Sequence, residues 1–98
     1  MKLIQSVPIW NNGTIKSAEI LACQVISDDL KQTAVFYYRL LTTDFQELAT
    51  GNAVMTGTDY DGYVSNEYAW TWIGNTLGLT IIGDYTPPSD NMVAKGEI

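Results

Sequence analysis

The stretch GTDYDGYVSNEYAW, residues 57–70, gathers three tyrosines, one tryptophan, three carboxylates and two glycines in fourteen positions. Four kinds of chemistry use such a mixture: a calcium loop, a pair of catalytic carboxylates, a sugar-binding patch of rings and acids, or the polar start of a helix. A helix-loop-helix calcium site needs ligands at alternate positions, glycine at the sixth and a bidentate Glu at the twelfth. Counting from Asp59 puts Asp61 third, Gly62 fourth and Trp70 twelfth, so that spacing fails. A less regular cation site on Asp59, Asp61 and backbone oxygens stays open.

Catalytic carboxylates need a cleft and an environment that drives their pKa values apart. Asp59, Asp61 and Glu67 sit in a polar turn that gives no cause for such a split. The chain has no histidine, so the commonest general base and zinc ligand is missing. Cys23 is the only cysteine; it lies in the apolar run ILACQVI with nothing to activate it and reads as a small core hydrophobe. The motifs GxSxG, HExxH, GxxxxGK[ST] and CxxC are absent. The expectation is no enzyme, no catalytic residue, no metal ligand set and no cofactor. Carbohydrate binding is the alternative, because exposed Trp or Tyr rings beside Asp or Asn side chains suit a sugar and the chain has three Trp and six Tyr. The same rings also supply the largest packing areas in a small domain and are enriched at protein contacts. An architectural reading of the stretch is preferred: Gly57 ends a strand, Thr58 and Asp59 cap a short turn, Gly62 frees the backbone, Ser65 starts a helix, the carboxylates favour helix N-termini and the tyrosines pack the corner.

Composition narrows the partners. Ninety-eight residues suffice for one domain, since a chain this short buries little more than ~60% of its unfolded surface. The hydrophobic share of 46% is high and the charged share of 16% is low, which argues for order and for interfaces. Eleven acidic against five basic residues give a net charge of −6, and the basic residues are scattered. Such a chain cannot neutralise a run of phosphates, so neither nucleic acid nor an anionic membrane is expected as a partner. The N-terminal MKLIQSVPIW is broken by Gln5, Ser6 and Pro8 before it reaches the length of a signal-peptide core, and no apolar run approaches the ~20 residues of a membrane span.

The elements that must position these residues change period half-way. Residues 3–10, 14–26, 33–42 and 46–56 read as strands joined by NNG, SDDLK and TDF turns, an antiparallel meander because short turns cannot serve parallel neighbours. Within residues 33–42, Ala34, Phe36, Tyr38 and Leu40 share one face and Val35, Tyr37, Arg39 and Leu41 the other, so both faces carry apolar bulk. Gly51-Asn52 suggests a bulge or bend. From Ser65 the period becomes helical. The spacing predicts a helix over 66–77, capped by Ser65 or Asn66 and ended at Gly78, with Ala69, Trp70, Ile73 and Leu77 on the buried stripe and Tyr68 and Trp72 on its flank. A short strand over 79–82 follows. The fold class expected is α+β, an antiparallel β-meander of four to five strands with one α-helix in the C-terminal half packed on the sheet; a β-sandwich with a helical insertion is the alternative. Residues 1–83 form the domain and 84–98 an extended tail.

The order FYYRLL, ELATGNAVMTGTDYDGY and NEYAWTWIGNTLGLTI, through its GN…MTG.DY and EYAW.W…LGLTI strings over residues ~30 to 82, resembles small virion-associated structural proteins of tailed bacteriophages, particularly phages of gut Bacteroidetes. The resemblance implies a structural component of the head, neck, tail or fibre, assembled in the host bacterial cytoplasm and localised to the virion. It implies protein–protein packing with other virion proteins or copies of itself, with no cofactor and no catalytic residue.

The residues expected to meet a neighbour are the outward strand positions Val35, Tyr37 and Leu41, the helix flank Tyr68 and Trp72, and a tail carrying Tyr85, Pro87, Pro88, Met92, Val93 and Ile98. Rings on the rim of a helix that already has its own core stripe are surplus to a monomer and carry binding energy when buried. Pro87-Pro88 stiffens the start of the tail, which lowers the entropy lost on docking.

Overall fold

The computed structural model describes residues 1–11, 13–86 and 98. The chain runs β1 (Lys2–Asn11), β2 (Thr14–Asp28), β3 (Thr33–Leu41), β4 (Glu47–Thr56), α1 (Gly57–Asp61), α2 (Asn66–Leu77) and β5 (Ile81–Asp84). The strands form one antiparallel sheet in the order β4-β3-β2-β1-β5. This is an α+β arrangement with a single sheet, so the sandwich alternative gives way. Four strands follow one another as a meander, and β5 returns past α2 to the far edge beside β1.

The turns explain the meander. Asp29 Oδ1 accepts the backbone N–H groups of Lys31, Gln32 and Thr33 at 2.8–3.0 Å, which closes the β2–β3 connection and lets Leu30 take a φ of +60°. Thr42 Oγ1 accepts from Asp44 and Gln46 at the β3–β4 connection, where Phe45 also turns left-handed. These side-chain acceptors replace the ladder partners that the backbone loses on turning.

Strand β2 outruns its neighbour. Its pairing with β3 covers Ile20–Asp28, while Thr14–Ala18 pair only with β1 residues Val7–Asn11. The β1–β2 hairpin therefore extends past β3 as a two-stranded ribbon. A register shift between Leu3 and Val7 accompanies a change of face: Ala18 lies in the cluster under α2 and Ile20 in the cluster behind the sheet. That switch is why the sequence of β2 alternates only weakly.

Helix α2 spans the residues its caps predict. Ser65 Oγ accepts the Tyr68 N–H at 3.2 Å, and Gly78 turns left-handed at φ 70°. The Gly78 N–H donates to Asn75 O and the Leu79 N–H to Gly74 O, satisfying two of the open carbonyls of the last turn. Leu79 is committed to that termination, so β5 starts at Ile81 rather than at residue 79. The helix buries Ala69, Trp70, Ile73 and Gly74, with Leu77 half-buried, against Ile4, Leu21, Cys23, Phe36, Leu40 and Met55 of the sheet. Each fully buried side chain of the Ile or Phe class contributes about 1.5–3 kcal/mol. No described polar or charged residue is buried.

Gly51 makes no bulge. It sits in register opposite Tyr38, and the β3–β4 ladder shifts only between Leu40 and Leu41. A Cβ on Gly51 would lie 2.6 Å from the Tyr38 hydroxyl, so the missing side chain makes room for the ring laid across the strand.

Candidate functional site

Two surfaces are left after the core is assembled. The first is the face of the sheet away from α2. A cluster of Ile20, Ala22 and Leu41, ringed by Met1, Leu3, Phe45 and Tyr85, covers its middle. Leu41 is thus almost wholly buried by its own chain and is not the outward contact residue expected from strand alternation, because Phe45 folds back from the turn and its ring meets Tyr85 at 5.7 Å. Beyond this cluster, Val35 lies directly opposite Val54, and Tyr37 opposite Asn52. Val54 is 55% exposed, while Val35 and Tyr37 are half-buried. Past the cluster's other end, on the projecting ribbon, Trp10 and Ile15 form a direct cross-strand pair, 71% and 69% exposed. The sequence reading missed Trp10, Ile15 and Val54. The signal was present in the Trp-Ile pairing that the NNG turn imposes, but it needs the knowledge that β3 stops short of the ribbon.

The second surface is the outward side of α2. Tyr68 and Trp72, one helical turn apart, line a cleft of about 360 Å³ with Thr71, Asn75, Thr76 and, from α1, Asp59. Both rings are half-buried and held from behind. Trp72 packs on Phe36 with ring centroids 5.5 Å apart, and a Cβ on Gly62 would lie 2.6 Å from the Tyr68 hydroxyl, so this glycine seats the phenol. Trp72 therefore serves the core and the surface at once. A second cleft of about 420 Å³ lies across the helix, lined by Lys2, Glu67, Trp70, Thr71, Gly74, Asn75, Leu79 and Ile81. There Lys2 is occupied: its ammonium pairs with Asp84 and stands 5.7 Å from the centroid of Trp70. That pairing holds the Asp84 carboxyl below its ordinary value.

The opening stretch is divided between these features. Residues 57–61 form α1 rather than a simple turn. Tyr60 donates its hydroxyl to Asp28 Oδ1 at 2.6 Å, tying α1 to the β2–β3 turn, and this bond pushes the phenol pKa up to about 12. Tyr63 packs edge-on to Tyr60 and against Phe36, at 6.2 and 5.7 Å between centroids, and burial raises its pKa. Asp59 and Asp61 are drawn into no group of three or more His, Cys, Asp or Glu side chains among the described residues.

Of the expected tail contacts, Pro87, Pro88, Met92 and Val93 lie outside the described residues. The two that are described pack on their own chain: the Tyr85 N–H donates to Met1 O, and Ile98 donates to Cys23 O at 3.0 Å while its side chain joins the cluster under α2. Among the described residues no helix is long and apolar enough to cross a membrane.

No family model, curated protein or solved structure matches the chain.

Proposed function

We propose that the protein is a non-enzymatic structural subunit that works by packing against other chains, either copies of itself or other proteins of a tailed-phage virion. The observation that carries this reading is the uncovered apolar ground on the helix-free face, with Val35 and Val54 at one end and the Trp10–Ile15 pair on the projecting ribbon at the other. Large apolar side chains that a monomer leaves in water mark contact sites, and a tryptophan near the end of a projecting two-stranded ribbon is suited to enter a neighbour. The outer edge of β4 adds a second route, since it is the last strand of the sheet and its free backbone groups suit another strand. The phage setting, and with it a virion location, comes from the GN…MTG.DY and EYAW.W…LGLTI strings. Contact through Leu41 or through the packed ends of the tail is no longer part of the reading, and the Tyr68–Trp72 flank of α2 is not assigned to it.

Sedimentation velocity across a concentration series tests the packing directly. The wild-type chain is expected to form a defined oligomer, and Trp10→Ser with Val54→Thr to return it to a monomer of unchanged fold. A wild-type chain that stays monomeric at millimolar concentration contradicts packing against itself. Mass spectrometry of purified particles tests the virion assignment, which fails if the chain is absent from them.

A further inference from the structure

The cleft on α2 has the composition of a ligand site rather than of a packing surface. Two rows of side chains run along the helix at one-turn spacing: Tyr68, Trp72 and Thr76 form one, and Thr71 and Asn75 the other. The first row offers aromatic surface and the second offers hydroxyl and amide groups, and Asp59 of α1 completes the lining. None of the Asp59, Thr71, Asn75 and Thr76 side chains is engaged in a hydrogen bond with another described residue. The rings, by contrast, are fixed by Phe36 behind Trp72 and by the glycine that seats Tyr68. A rigid aromatic floor with uncommitted polar groups around it loses little entropy on binding.

Chemistry selects the occupant. The cleft's volume of about 360 Å³ falls within the range of small-ligand sites. Among the described residues its lining has no lysine or arginine and its only charge is the Asp59 carboxylate, so a phosphate, a sulfate or an acidic sugar finds nothing there to neutralise it. Four of its six lining residues are polar, which disfavours a lipid or a purely apolar ligand. A peptide bound by strand addition needs a sheet edge and one bound as an amphipathic helix needs an apolar groove, and this cleft offers neither. A neutral saccharide uses the groups present: aromatic side chains for the C–H face of a pyranose ring, and amide, hydroxyl and carboxylate groups for its equatorial hydroxyls.

We propose that this cleft binds a neutral saccharide, with Trp72 and Tyr68 stacking on the ring and Asp59, Asn75 and Thr71 accepting or donating hydrogen bonds to its hydroxyls. The site is on α2, across the sheet from Val35 and Val54, so it is independent of the packing surface and its failure leaves that reading untouched.

Amide and indole resonances of the isotope-labelled chain, titrated with cellohexaose, chitohexaose and xylohexaose and with an oligogalacturonate as the anionic control, test the site. One of the neutral oligosaccharides is expected to shift the Thr71 and Asn75 amides and the Trp72 indole saturably, and the oligogalacturonate to leave them in place. Asp59→Ala with Asn75→Ala, both at exposed positions, is expected to weaken that binding by at least about tenfold, the effect of losing two hydrogen bonds of which one is charged, with the thermal midpoint unchanged. Trp72→Phe keeps a ring on Phe36 and is expected to weaken binding while retaining the fold. The proposal is overturned if none of the three neutral probes shifts these resonances at millimolar concentration, if the shifts survive the double substitution, or if the anionic control binds equally well.

Discussion

Phe36 and Val35 are neighbours in one strand, and their surroundings differ completely. Phe36 is fully buried between Tyr63 and Trp72, under a helix whose Ala69, Trp70 and Ile73 complete the layer. Val35, on the opposite face, has only Ser27 and Val54 directly across from it, and Val54 is largely open to water. Chain order accounts for the difference. Among the described residues one helix is long enough to cover the sheet, and its buried stripe of Ala69, Trp70 and Ile73 packs on the face of Phe36. Among the described residues the other face has only what the turns and termini supply, and Met1, Leu3, Phe45 and Tyr85 pack on Ile20, Ala22 and Leu41. One face is finished internally, and the other is the face that we propose a neighbour completes.

The largest expected effect separates the two faces by stability. Phe36→Ala removes the ring on which Tyr63 and Trp72 pack and is expected to cost about 3–5 kcal/mol in urea denaturation of the dilute chain, whereas Val54→Thr is expected to change it by under about 0.5 kcal/mol. Equal losses at the two positions would break the comparison. Leu41→Ala sharpens it by asking how far internal covering extends: a loss of about 2–5 kcal/mol is expected, because Leu41 is buried within its own chain despite sharing a face with Val35.

Smaller effects test the devices that direct the helix and turns. Ser65→Ala is expected to cost about 1 kcal/mol through the lost N-cap, with Ser65→Gly costing less. Leu30 holds a positive φ while 83% exposed, so Leu30→Gly relieves backbone strain without removing packing. Its expected effect is a stabilisation of about 0.5–1 kcal/mol.

The pH dependence follows from groups near the turns. Three backbone N–H groups, with Gln32 the strongest and then Lys31 and Thr33, hold the Asp29 carboxyl below its ordinary 3.8, and the hydrogen bond from Lys2 does the same for Asp84. A folded value below the unfolded one gives stability that is present above pH 3.8 and lost as pH falls through the folded values. Tyr60 behaves oppositely. Its bond to Asp28 raises the phenol from 10.0 to about 12, so its contribution is complete below pH 10 and lost as pH rises through about 12. An ultraviolet titration should show Tyr60 and Tyr63 ionising late; the step near 12 should disappear in Tyr60→Phe, and Asp28→Asn should bring Tyr60 back toward the ordinary range.

Much of the architecture was legible because it rests on local chemistry. Ser65 and Gly78 marked the ends of α2, the stripe Ala69, Trp70 and Ile73 marked its buried side, and the short turns forced the meander. What stayed hidden depends on register. The length of β2 relative to β3 leaves Trp10 and Ile15 on an unsupported ribbon, and only the pairing of Ile20 with Leu41 reveals it. The change of face between Ala18 and Ile20 erased the alternation that would have identified the strand's inner side. Leu41 looked outward because alternation assigns a face but not what else covers that face. At the candidate cleft, Tyr68, Trp72 and Asp59 stood out by type, but Thr71, Asn75 and Thr76 are ordinary helix-surface residues until α1 is placed beside them.

The claim that the helix-free face is completed by another chain is tested most directly by residue-resolved NMR across a dilution series. The account predicts that resonances of Trp10, Ile15, Val35 and Val54 shift with concentration while those of Thr71 and Asn75 on α2 stay fixed. Concentration-dependent shifts confined to α2, or none anywhere up to millimolar chain, would contradict it.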